Sequence, residues 1–102
     1  MSGNSLLKGL KPTHPGEFLR EDVLPALDIP KTEIAKRLGI SRAMLYAILD
    51  ERAPVSPAMA LRLGKLFGTT AESWLNMQRD YDLRMLEKSM AEELDEIDPV
   101  AA

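Results

Sequence analysis

Apolar residues recur along this chain of 102 residues at three- and four-residue steps, in short runs separated by glycine, proline, serine and threonine. Such spacing places each run on one side of an α-helix, and no segment alternates as a β-strand would. The pattern predicts five helices and an all-α fold. The first helix begins at Pro15, because proline loses no hydrogen bond at the first helical position, and it ends or bends at Pro25.

Residues typical of helix ends delimit the other elements. The second helix covers 31–38 and closes at Gly39, since glycine readily adopts the left-handed conformation found after a helix. Ser41 is then a good N-cap for a third helix from 42 to about 50.

The same signals predict two further helices. Ser56 caps the fourth, Pro57 is its first residue, and Gly68 ends it. The last helix begins behind Thr69 or Thr70. Its apolar steps continue to about Ile97, which predicts an amphipathic rod with an apolar row of Leu83, Leu86, Met90, Leu94 and Ile97. The end of this rod is either a surface for a protein contact or a frayed, solvated acidic tail.

The second and third helices together form a helix-turn-helix pattern over 31–50. Ala35 is small enough to let the two helices cross closely, and Gly39 turns the chain four residues later. Apolar residues on both helices then fix the angle between them. Such a pair presents its second helix to the major groove of DNA.

Arg42 is the strongest candidate for reading a base, because a guanidinium pairs with two acceptors of guanine. Basic side chains around it would contact phosphates and position the protein. The predicted DNA-binding residues are Lys31, Lys36, Arg37, Ser41, Arg42, Ala43, Tyr46, Ala47 and Arg52. The alternative is that the two helices meet only as packing and that Arg42 is solvated.

The net charge of −3 counts against nucleic acid only if the charge is spread evenly. It is not: residues 80–102 carry eight acidic and two basic side chains, a net −6, whereas 31–65 carry seven basic and three acidic ones, a net +4. This division favours one face for phosphates and a separate end for a basic protein partner.

Composition excludes several other classes. The length suits one domain, the absence of cysteine fits a reducing cytoplasm, and no run is apolar enough for a signal peptide or a membrane span. His14 is the only histidine and has no companion ligands, so a structural role is expected and no metal or other cofactor. No catalytic motif stands out, so an enzyme is not expected.

Three stretches together resemble a known family. They are HPGEFLRED at 14–22, the helix-turn-helix at 31–50, and SPAMALRLGKLFGTTAESWLNMQRDYDLR at 56–84. They are similar to the HigA-type antitoxins, also called VapI-like, within the lambda-repressor-like XRE group. Pro30 departs from the pattern, because many relatives have a serine or threonine cap there.

The resemblance implies a five-helix domain over 14–86. Composition predicts a flexible arm before this domain, at 1–13, and the acidic residues and apolar steps after it predict a helical extension and tail at 87–102, which the family does not fix. The resemblance also implies a homodimer that binds the operator of its own operon, and a HigB toxin with a RelE-like fold that cleaves mRNA and is neutralised by the antitoxin. The residues implied at the dimer or partner interface are Trp74, Leu75, Gln78, Tyr81, Leu83, Leu86 and Met90. Two alternatives stay open: a free-standing XRE repressor without a toxin, and a protein-binding module that keeps the helix-turn-helix as a scaffold.

Overall fold

The first helical element changes its winding twice. In the computed structural model, which describes residues 12–100, α1 spans Pro15–Phe18 and continues as a π-helical turn, Leu19–Val23, and a 3-10 turn, Leu24–Ala26. The backbone N–H of Leu24 bonds the carbonyl of Leu19. This five-residue step brings both leucines, each buried, to the same side of the element. The predicted arm at 1–13 lies outside the described residues except for Pro12 and Thr13.

Two helices and a glycine turn follow. Helix α2 spans Lys31–Leu38 and α3 spans Arg42–Leu49. Gly39 has φ 74°, and the N–H of Ile40 bonds the carbonyl of Ala35, so α2 ends in the predicted left-handed cap. Ser41 Oγ accepts from Met44 N at 3.0 Å, which confirms the predicted N-cap. Pro30 makes no side-chain cap on α2.

The second half of the fold is a helical hairpin. Helix α4 spans Pro57–Phe67 behind the Ser56 cap, and α5 spans Ala71–Ser89 behind Thr70, whose Oγ1 accepts from Ser73 N at 3.1 Å. Thr69 has a different role, since its Oγ1 accepts from the indole Nε1 of Trp74 at 2.8 Å. No strand is present among residues 12–100, which confirms the all-α prediction.

The five predicted helices are present as α1 to α5, but the last one does not run unbroken to Ile97. Helix α5 stops at Ser89, Met90 has ψ 13°, and a short sixth helix, α6, spans Ala91–Asp95. The Leu86 carbonyl accepts both the N–H of Met90 at 2.8 Å and the Ser89 hydroxyl at 3.3 Å. No residue of α6 is buried, so no packing opposes the interruption.

One apolar core joins all the elements from α1 to α5. Its largest fully enclosed apolar side chains are Leu19, Ile34, Leu45, Ile48 and Leu63. Trp74 closes the core from α5 and lies near the rings of Phe18 and Phe67, with centroids 5.8 and 6.3 Å away. The helix-turn-helix packs against the rest of the domain at two places, since α2 contacts α4 of the hairpin and α3 contacts α1.

His14 has the structural role that the sequence predicts. Its Nδ1 accepts from Gly16 N at 2.8 Å and caps α1, while its buried ring meets Tyr81 edge-on with centroids 4.9 Å apart. Burial lowers the pKa of His14 from 6.5, and this outweighs the opposing effect of the Glu51 and Asp82 carboxylates.

We expect this burial to make the free energy of unfolding depend on pH. As the pH falls below about 6.5, His14 takes up a proton in the unfolded chain but not yet in the folded protein, where its pKa is lower. The contribution of His14 to the free energy of unfolding is therefore constant above about pH 6.5 and decreases between that pH and the lower pKa of the folded state. Urea titrations over this range measure the decline. His14→Asn keeps a capping oxygen but cannot titrate, so the stability difference from the wild type should narrow as the pH falls. A constant difference would contradict the assignment.

Candidate nucleic-acid interface

Helix α3 presents a small exposed surface that begins at its first turn. Ser41, Arg42, Ala43 and Tyr46 are exposed and Ala47 is half-buried. Arg42 makes no ion pair with any of residues 12–100, so its guanidinium is available to a ligand. Met44, also exposed, adds an apolar side chain at this end of α3 that the sequence reasoning did not include.

The opposite side of α3 packs against the core through three buried residues, Leu45, Ile48 and Leu49. Helix α1 approaches this side so closely that a Cβ on Gly16 would lie 1.8 Å from the carbonyl oxygen of Ile48. Glycine is therefore required at position 16 for the two backbones to meet. This contact explains the glycine in the HPGE sequence at 14–17.

Two arginines from other elements bind the ends of the helix pair. Arg62 of α4 donates to the Leu38 carbonyl at 2.7 Å, at the end of α2. Arg20 donates to the Leu49 carbonyl at 2.6 Å, at the end of α3, and pairs with Glu51 at 3.3 Å. The hydrogen bond from Arg20 to Glu21 raises the pKa of the guanidinium, which stays charged. Both caps satisfy carbonyls that a helix end leaves open.

The predicted phosphate contacts differ in their surroundings. Lys31 and Lys36 are exposed on α2. Arg37 pairs with Glu33 at 3.0 Å and faces a groove shared with α4, and Arg52 pairs with Asp50 at 3.2 Å. All four are exposed, but the two arginines already have carboxylate partners, so their net contribution to phosphate attraction is smaller.

The residues implied at the protein interface divide into three groups by their burial. Trp74 and Gln78 are buried in the protomer, and Gln78 Oε1 accepts from Val55 N at 2.8 Å. Because both side chains are buried within the protomer, they offer little surface to a partner, and their assignment to an interface stays a prediction. Leu83 and Leu86 are exposed, whereas the half-buried members are Leu75, Tyr81 and Met90.

Residues 12–100 contain no group of three or more histidine, cysteine, aspartate or glutamate side chains that would hold a metal ion. None of their helices is long and apolar enough to cross a membrane.

The fold and the exposed surface of α3 define a helix-turn-helix protein of the DNA-binding type. A comparison with models of known protein families gives no match. The chain is 43% identical over 75 residues to virulence-associated protein I of Dichelobacter nodosus, covering 74% of this chain and 69% of that protein. It is 39% identical over 93 residues to the uncharacterized HTH-type transcriptional regulator YbaQ of Escherichia coli K12, covering 89% and 82%.

A solved structure gives the same relationship. The antitoxin HigA of Pseudomonas aeruginosa, determined with the higBA promoter, has a TM-score of 0.82 and 36% identity, and the match covers 87% of this chain and 98% of that one. The chain belongs to the HigA-type, VapI-like family of helix-turn-helix proteins.

Proposed function

We propose that this protein is an antitoxin that binds operator DNA as a dimer, represses its own operon and neutralises a RelE-like, mRNA-cleaving toxin. The observation that carries the proposal is the exposed first turn of α3, where Arg42 makes no ion pair with residues 12–100, in a relative of an antitoxin solved with its promoter. The role is binding rather than catalysis, and it belongs in the cytoplasm, where the operator lies.

In this proposal, the residues of α3 read the sequence. Arg42 pairs with a guanine, Ser41 contacts a phosphate while it caps the helix, and Ala43 and Ala47 allow close approach and touch thymine methyl groups. Tyr46 contacts a base or a phosphate. Phosphate contacts by Lys31, Lys36, Arg37 and Arg52 set the register without specifying sequence.

The dimer contact is proposed on the distal part of α5. Leu83 and Leu86 are exposed on one side of this helix and Met90 borders them, whereas Tyr81 lies on the other side, against the ring of His14. A second copy would cover this row. On B-DNA, the two α3 helices would then lie about 34 Å apart, one helical turn, and the operator would be a near palindrome.

We expect Arg42→Ala to weaken binding to the operator by roughly 1–3 kcal/mol and to relax the preference at one base position. Lys36→Ala, a matched loss of one positive charge on α2, should instead weaken all DNA sequences alike and reduce the salt dependence. Gel-shift titrations with the operator and with single-base variants measure both. Normal operator binding by Arg42→Ala would refute the assignment of α3 as the reading helix.

The toxin half of the proposal has a separate test. The protein should co-purify with the product of the adjacent gene and should abolish cleavage of mRNA by it. Operator binding without any such partner would leave a free-standing repressor. A chain that binds the toxin but shows no salt-dependent binding to its promoter would be a protein-binding module instead.

A further inference from the structure

A groove between α2 and α4 is a surface feature that the proposed function does not use fully. It has a volume of 470 Å³ and opens to solvent. Three basic and three apolar side chains line it: Arg37, Arg62, Lys65, Leu38, Leu61 and Leu66. The groove therefore combines positive charge with apolar surface.

The apolar part of this groove distinguishes it from a phosphate site. Leu61 is 66% exposed and lines the groove together with Leu38 and Leu66, so the groove offers apolar surface beside its basic side chains. Phosphate oxygens gain nothing from a leucine side chain. Arg62 is held in place because it caps α2 through the Leu38 carbonyl at 2.7 Å. A ligand that suits both features is an acidic peptide with apolar side chains.

The end of this same chain has that composition. Residues 91–98 carry five carboxylates and no basic side chain. Their two large apolar side chains, Leu94 and Ile97, are 42% and 67% exposed and stand three positions apart, on one side of a helical turn. Nothing in α6 is buried. The segment thus presents negative charge and apolar surface together.

The segment cannot lie on the groove of its own chain in this arrangement. Helix α5 has 19 residues, which makes it roughly 28 Å long at 1.5 Å per residue. Its first turn follows directly on the end of α4, next to Lys65 and Leu66, and α6 is attached at its other end. The acidic segment is therefore held away from α4, and only another copy brings one to this groove.

We propose that the groove between α2 and α4 binds the acidic segment 91–98 of a second copy of this chain. Lys65 attracts the carboxylates, with a smaller contribution from Arg37, which already pairs with Glu33. Leu61 and Leu66 cover Leu94 and Ile97. The contact adds to any dimer formed through α5, and it does not depend on operator or toxin binding. Because it joins exposed charges, it weakens as salt is added.

The absence of cysteine from the chain allows a direct test with the full-length protein. One variant carries Leu61→Cys in the groove and a peptide tag that changes its size, and the other carries Leu94→Cys in α6. The two are mixed and treated with a short bismaleimide, and the mixed product is measured on a denaturing gel. The control replaces the first variant with a tagged Met44→Cys, since Met44 is apolar and 44% exposed but lies on α3.

We expect the Leu61 and Leu94 pair to give several-fold more mixed product than the control pair, and less as salt is raised. Adding Lys65→Glu should lower the yield several-fold, and Glu93→Lys with Glu96→Lys on the other variant should restore it. A yield equal to the control, or one that Lys65→Glu leaves unchanged, would overturn the proposal. If Lys65→Glu instead weakens binding to all DNA sequences without changing the yield, the groove binds phosphates and the proposal is wrong.

Discussion

Gly16→Ala should lower the free energy of unfolding by about 3 kcal/mol or more, at or beyond the upper end of ordinary overpacking. The new methyl group would lie 1.8 Å from the Ile48 carbonyl oxygen, and a backbone atom cannot rotate aside as a side chain does. Helix α1 must move away from α3 to admit it. Urea unfolding measures the loss, and operator binding should weaken as well because the underside of α3 is disturbed.

Gly68→Ala is the control for this substitution. Gly68 has φ 69°, but among residues 12–100 no atom outside its own chain neighbours lies within 4 Å of the position that its Cβ would take. Gly68→Ala should therefore lower the free energy of unfolding only by the strain of a left-handed alanine, about 1–2 kcal/mol. Operator binding should be unchanged. Equal losses for the two variants would show that the approach of α1 to α3 does not constrain residue 16.

Leu45→Ala should cost about 2–5 kcal/mol of stability, because it opens a cavity beneath the helix that is proposed to read DNA. Leu45 is 1% exposed and lies on the side of α3 that faces the core. Thermal or urea unfolding of the purified protein measures the loss. Operator affinity should fall in parallel, since the position of α3 depends on the packing below it.

The adjacent residue provides the control for Leu45→Ala. Met44 is 44% exposed, so Met44→Ala removes a side chain of similar size that has little packing to lose. Its effect on unfolding should stay within about 0.5 kcal/mol. If both substitutions destabilise the protein equally, α3 does not rest on the core as described.

Local chemistry made most of the helix boundaries predictable. Ser41, Ser56 and Gly39 act on groups only a few residues away, so their effect can be recognised in a short window of sequence. The all-α class and the outward positions of α3 followed from the same short-range periodicity.

Long-range contacts could not be predicted in the same way. Arg20 and Arg62 bond carbonyls 29 and 24 residues distant, and nothing in their own segments indicates those partners. Trp74 shows a related limit: a helical period reveals that one side is apolar, but not whether the same chain or another one covers it. The interruption at Met90 depends on the absence of packing, which no local pattern records.

The two arginine caps have a consequence for protein engineering. The last carbonyls of α2 and α3 are each bound by a side chain from outside the segment 31–50. A peptide of 31–50 excised from the chain, or grafted onto a different scaffold, would lose both caps together with the support of α1 and α4. Transplanting the specificity of this protein therefore requires exchanging the exposed residues of α3 between complete domains, rather than moving the motif itself.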